Sequence, residues 1–170
     1  MKNFIILCLL IISACQARQR EISTNIYSTT GSENYGKLTL TDTAKGLHVT
    51  GALENLPKGE HGFHIHEKGS CDAARDAEGK TVPALAAGGH YDPMKTGKHA
   101  GPEKGGHKGD LPLIMADKNG RAEIDFYQKN LTLDEIKNRS IMIHAGGDNY
   151  QDQPLPLGGG GARIGCGVIK

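Results

Sequence analysis

His64 and His66 stand two residues apart in the run Gly62-Phe63-His64-Ile65-His66. Successive side chains of an extended strand alternate between its faces, so both imidazoles would project from one face while Phe63 and Ile65 point to the other. One strand would thus offer two ring nitrogens to a metal ion. Farther along, His90, His99 and His107 follow at loop spacings, and Asp110 comes three residues after His107. Three imidazoles and one carboxylate suit a tetrahedral zinc ion. A His-x-His pair alone equally describes two surface histidines, and a histidine-rich loop alone describes a solvated tract that holds metal loosely. The flanking residues decide between these readings.

Those flanks run Gly62-Phe63-His64-Ile65-His66-Glu67, Gly89-His90-Tyr91-Asp92-Pro93, Lys98-His99-Ala100-Gly101-Pro102, His107-Lys108-Gly109-Asp110-Leu111, then His144, then Gly161-Ala162-Arg163-Ile164-Gly165-Cys166-Gly167-Val168-Ile169. Together, and in this order, they resemble the copper/zinc superoxide dismutases. The resemblance spans nearly all of the chain that follows its N-terminal leader. It implies that His64, His66, His90 and His144 ligate copper, that His90, His99, His107 and Asp110 ligate zinc, and that His90 bridges the two ions. One copper and one zinc per subunit are the implied cofactors, with no organic group. Copper would cycle between two oxidation states, while redox-inert zinc fixes the geometry of the bridge. The substrate would be superoxide, disproportionated to dioxygen and hydrogen peroxide close to the diffusion limit.

The resemblance also assigns supporting roles. Arg163 matches the arginine that stands beside copper, where a guanidinium attracts and orients a small anion. His90, as the bridge, would also carry a proton. Asp148, four residues after His144, matches the carboxylate that links a copper ligand, here His64, to a zinc ligand, here His99, through their second nitrogens. Cys71 and Cys166 match the family disulfide, which would tie the loop before His90 to the strand carrying Arg163. In the chain-entropy model, closing a loop of that length stabilises by about 4 to 5 kcal/mol. Lys68, Lys95, Lys98, Lys104 and Lys108 crowd the site loops and can raise the local concentration of an anion. His48 and His61 receive no role.

The elements that must position these residues read as strands. Alternation at period two marks Lys37 to Thr41, Leu47 to Thr50, Gly62 to His66, Ala122 to Phe126, Ser140 to His144 and Gly165 to Ile169. Asn119-Gly120 within Asp117 to Gly120 predicts a hairpin turn. Thr132-Leu133-Asp134-Glu135 fits a capping box or an ordinary polar loop. Glu67 to Gly109 lacks apolar periodicity and is rich in Gly, His, Lys and Asp. A structureless stretch that long is functional or disordered, and a disulfide and a metal falling inside it favour order. The class is all-β. The resemblance implies an eight-stranded Greek-key β-sandwich or flattened barrel with long metal-binding loops, an architecture of which this family is an example.

The N-terminus carries a different kind of information. Lys2 precedes the apolar run Phe4 to Ile12, which ends in Ser13-Ala14 and reads as an export signal, too short to span a bilayer as a helix. Ile12-Ser13-Ala14-Cys15 looks like a bacterial lipobox. The expected organisation is a signal peptide at 1–14 cleaved before Cys15, a tether at 15–21 and one domain at 22–170. Cys15 would be acylated and hold the protein to a membrane; the other option is ordinary cleavage near Ala17. Gln16 lacks the aspartate of inner-membrane retention, so the expected location is the periplasmic side of the outer membrane. Cys71 and Cys166 are then the remaining cysteine pair, and in an exported chain such a pair suggests a disulfide.

A formal charge of +1 without an arginine-rich stripe argues against nucleic acid as a partner. The segment Asp148 to Gly161 lacks the charges of eukaryotic members. Together with the insertion Asp72 to Gly89 it resembles the bacterial branch, in which subunits pair differently or stay single, so a homodimer and a monomer are both open. Two rival functions are a non-enzymatic copper/zinc-buffering lipoprotein and a structural surface domain. Arg163 and the bridging place of His90 argue against the first, and a complete ligand set against the second.

Overall fold

The computed structural model describes residues 20–170. The signal segment, Cys15 and all of the tether before Arg20 lie outside the described residues. Glu21, the last residue expected of the tether, opens the first strand, β1 (Glu21–Ser28). Next come β2 (Asn34–Thr43), β3 (Gly46–Leu53), β4 (Gly59–His61), β5 (Phe63–His66), β6 (Ala74–Arg75) and β7 (Thr81–Val82). The chain continues with β8 (Ile114–Ala116), β9 (Ala122–Gln128), a one-turn helix α1 (Leu133–Ile136), β10 (Ser140–His144) and β11 (Arg163–Val168).

Seven strands form one antiparallel sheet in the order β5-β10-β11-β1-β2-β3-β9, and β8 pairs with β4. With β4 and β5 counted as one strand bent at Gly62, eight strands curl round a single core. Alternation places the core as the sequence indicated: Leu38 and Leu40 on β2, Leu47 and Val49 on β3, and Ile141 and Ile143 on β10 are all buried. Phe63 packs edge-on against Phe126 from β9, with ring centroids 6.3 Å apart. Burial of a side chain of that size contributes about 1.5–3 kcal/mol.

Local signals fix the connections. The Asp117 N–H donates to the Arg121 carbonyl and the Gly120 N–H to the Asp117 carbonyl, closing the expected turn. Gly120 alone of the Asn-Gly pair takes a positive φ, +79°, so this is a type I turn ending in a left-handed glycine rather than a two-residue primed turn. At α1, the Thr132 backbone N–H donates to the Glu135 carboxylate at 3.1 Å, the reciprocal half of a capping box. No described helix is long and apolar enough to cross a membrane.

The long segment between β5 and β8 is pinned at several points. Cys71 and Cys166 form a disulfide across 95 residues, with Cα atoms 5.8 Å apart. Ala84, Ala87, Met142 and Cys166 make a small second core that seats the inserted loop on the outer face of the sheet, with Cys71 against it. Inside the insertion, β6 and β7 pair as a short hairpin.

Candidate metal centre

β5 pairs with β10 along one edge. Its other edge is free of named strands and receives two pieces of the loop instead. The Ile65 N–H donates to Gly109 O at 2.9 Å and the Tyr91 N–H to Ile65 O at 2.8 Å. The Glu67 N–H donates to Gly89 O at 3.0 Å, and the Leu111 N–H to Phe63 O at 3.2 Å. These bonds set His66 opposite His90 and His64 opposite Asp110. All four residues of β5 are buried, Phe63 and Ile65 in the barrel core, His64 and His66 under the loops.

His64, His66, His90 and His144 offer ligand atoms that lie within 4.8 Å of one another. A second group, equally tight, comprises His64, His90, His99 and Asp110. His64 stands in both groups, with its Nε2 bound to Asp148 Oδ2 at 2.7 Å and only Nδ1 free, so it can serve one of them but not both. His107, expected with the second group, lies outside that tightest set, with its Nδ1 3.5 Å from Asp110 Oδ1. His90 faces both groups, with Nδ1 3.0 Å from Asp110 Oδ1 and Nε2 free.

The free atoms test whether metals fit. Buried ring nitrogens without a hydrogen-bond partner are His64 Nδ1, His66 Nε2, His90 Nε2, His144 Nε2, His99 Nδ1 and His107 Nδ1. Unpaired buried polar atoms are costly, and here all six belong to the residues singled out as ligands. The opposite nitrogens are engaged: His66 Nδ1 with Gly88 O at 3.0 Å, His144 Nδ1 with Gly161 O at 3.2 Å, and His99 Nε2 with Asp148 Oδ1 at 2.7 Å. An N–H committed outward leaves a lone pair turned inward, the arrangement a metal-ligating imidazole needs. Two nitrogen-rich pockets sharing one imidazole fit a copper and a zinc ion.

The charge states of the first group suit metal ligation. Burial pushes His64 down to about 3 and His144 down to about 4, and lowers His66 and His90. At neutral pH these four rings are uncharged. Burial also opposes charge on Asp110 and Asp148, but hydrogen bonds from surrounding histidines hold both carboxyls well below the usual range.

Arg163 opens β11 directly opposite His144. Its guanidinium donates to Ala84 O at 2.6 Å and to Gly88 O at 2.7 Å, both on the loop that the disulfide anchors. Gly88 O therefore serves both Arg163 and His66. Its charge is close enough to lower His66 and His144. Of the five lysines near the site, Lys108 pairs with Glu135, while Lys68, Lys95, Lys98 and Lys104 are exposed.

Sequence reasoning missed His61. It is buried on β4, with Nδ1 2.8 Å from His144 O and Nε2 2.7 Å from Pro57 O, so it ties the backbone of His144 to the segment leading into β4. Its place three residues before His64 was the available signal. His48 lies on the outer surface, bonded to Asp125 at 2.7 Å and stacked on Tyr127.

Residues 34–169 match the family model described as copper/zinc superoxide dismutase. The chain is 48% identical over 174 residues to "Superoxide dismutase [Cu-Zn]" of Escherichia coli K12, with all of both chains covered. It is 45% identical to the protein of that name from Brucella abortus, again with all of both chains covered. Among solved structures, the Cu/Zn superoxide dismutase from Brucella abortus superposes with a TM-score of 0.84 at 47% identity, over 89% of this chain and 100% of that one. The solution structure of the monomeric copper, zinc superoxide dismutase from Salmonella enterica gives 0.75 at 48% identity, over 89% and 99%.

Proposed function

The chain belongs to the copper/zinc superoxide dismutases, and from that membership and its two converging sets of ring nitrogens we infer how its residues divide the work. It disproportionates superoxide to dioxygen and hydrogen peroxide and carries one copper and one zinc per subunit. His64, His66, His90 and His144 hold copper; His90, His99, His107 and Asp110 hold zinc. When bound, copper supplies the one-electron redox couple, and zinc supplies a fixed, redox-inert charge. The six inward-facing nitrogens carry this reading.

Arg163 does the binding. Its guanidinium is fixed by two carbonyls, so it presents charge to an arriving anion without first losing side-chain freedom. His90 moves the proton, held at Nε2 while Nδ1 stays toward Asp110. Two superoxide ions and two protons balance as one dioxygen and one hydrogen peroxide. Asp148 keeps His64 and His99 in their ligating tautomers.

Metal analysis of single variants tests the ligand assignment. His107→Ala should lose zinc and keep copper, and His144→Ala should lose copper and keep zinc. Loss of both metals in each variant, or of neither, contradicts the division.

The setting belongs to the same reading. Residues 1–14 direct export, Cys15 is lipidated after cleavage, and residues 16–20 tether the enzyme to the outer membrane, where it removes superoxide reaching the periplasm. A mass of the mature N-terminus lacking acyl chains, or activity found only in the soluble fraction, rules out the anchor.

A further inference from the structure

We propose that Tyr150 is a positioning residue of the zinc pocket, holding the outer partners of His99 and Asp110 together from the loop that follows β10. The proposal rests on the reading that His90, His99, His107 and Asp110 hold zinc.

Three contacts carry it. The Tyr150 backbone N–H donates to Asp148 Oδ1 at 2.7 Å, the same oxygen that holds His99 Nε2 at 2.7 Å. The ring lies on Gly101, where a Cβ would come within 2.7 Å of Tyr150 Cγ, so only glycine admits the aromatic there. The Gly101 N–H in turn donates to Asp110 Oδ2 at 3.2 Å. Finally, the hydroxyl accepts the Leu113 N–H at 2.8 Å, three residues beyond Asp110.

Tyr150 adopts φ +58°, the left-handed region that residues with a Cβ avoid, and a residue stays there when its surroundings over-determine it. A neighbouring contact reinforces the closure: Asp152 Oδ2 accepts the His99 backbone N–H at 3.1 Å. One side chain therefore covers the amide that orients the zinc carboxylate, and its own amide steadies the carboxylate that orients a zinc imidazole. Outer partners of this kind set metal affinity by about 10- to 100-fold.

The test uses the copper- and zinc-loaded chain and follows transfer of zinc to a chromogenic chelator. Tyr150→Ala should speed zinc release about 10-fold. Tyr150→Phe, which keeps the ring on Gly101 and loses the Leu113 contact, should speed it less. With cobalt(II) in the zinc pocket, the visible absorption bands should change in Tyr150→Ala and return toward the wild-type shape in Tyr150→Phe, a response that mere loss of global stability does not produce. If His107→Ala loses zinc while Tyr150→Ala holds it as firmly as the wild type with unaltered cobalt bands, the proposal is overturned and the ligand reading stands. If His107→Ala retains zinc, the ligand reading falls and takes the proposal with it.

Discussion

His64, His66, His99 and His144 each have one ring nitrogen committed to the protein and the other, buried, left without a partner. That division was partly legible in the sequence. The two-residue spacing of His64 and His66 implies a shared face from strand geometry alone, and the flanks of His90, His99, His107 and Asp110 carry the family's pattern. The roles of His61, Tyr150 and the Gly88 carbonyl were not legible, because each depends on a contact between residues far apart in the chain. Asp148 is the sharpest test at this scale. An amide in its place cannot accept two N–H groups on equivalent oxygens, so Asp148→Asn should weaken metal binding by about 10- to 100-fold in a chelator competition; unchanged affinity for both metals means that the Asp148 link between His64 and His99 is dispensable.

The same residues set a pH dependence in the metal-free protein. His64 and His144 are lowered to about 3 and about 4, chiefly by burial, whereas in the unfolded chain they titrate near 6.5. Below that pH the unfolded state binds more protons than the folded one, so their contribution is whole above about 6.5 and is lost as the pH falls toward 4. His99 runs the other way. Burial lowers it, but the neighbouring carboxylates of Asp110, 3.0 Å from Nδ1, and Asp148 outweigh burial and raise it to about 9, so its contribution is whole below about 6.5 and lost as the pH rises through 9. The lowered histidines outnumber the raised one. The urea midpoint of the metal-free protein should therefore drop steadily from pH 6.5 to 4; a flat profile over that range contradicts buried, neutral rings.

At the scale of elements, β5 is the organising strand, since one edge pairs with β10 and the other takes the two loop pieces that bring His90 and Asp110. Six strand segments showed period-two alternation in the sequence, and each falls on a strand of the structure, with overhangs at Gly62 and Ile169. β4, β6, β7 and β8, only two or three residues each, are too short for a period to register. β1 escaped because its buried set includes Thr24 beside Ile26, a weak apolar signal. The disulfide acts between elements, fastening the loop whose Ala84 and Gly88 carbonyls hold Arg163 to the strand that carries it. Replacing both Cys71 and Cys166 by Ser should cost about 2–5 kcal/mol of unfolding free energy in the metal-free protein, read from urea denaturation. Superoxide turnover in the metal-loaded variant should fall as well, because the acceptors of Arg163 loosen. Full turnover would show that the loop holds the arginine without its covalent tie.

Over the whole molecule, the curled sheet encloses the main core, and the histidine cluster lies outside that core beneath loops fixed by a disulfide and a second small core. The formal charge of the chain is only +1, so attraction of an anion depends on where cations sit rather than on their sum. Arg163, with exposed Lys68, Lys95, Lys98 and Lys104 on the site loops, supplies such a local field. Raising ionic strength from about 0.01 to 0.15 M shortens the screening length from about 30 to 8 Å, and the rate constant for superoxide should fall with it. A rate that rises with salt means that the field at the mouth repels the substrate.

The account stands most directly on superoxide disproportionation by the copper- and zinc-loaded chain, measured beside His90→Ala and Arg163→Ala with the metal content of each determined. It predicts rapid turnover in the wild type, a fall of about tenfold or more in Arg163→Ala with both metals retained, and a larger fall in His90→Ala. Wild-type turnover in Arg163→Ala, or a fully loaded wild-type chain without activity, would contradict it.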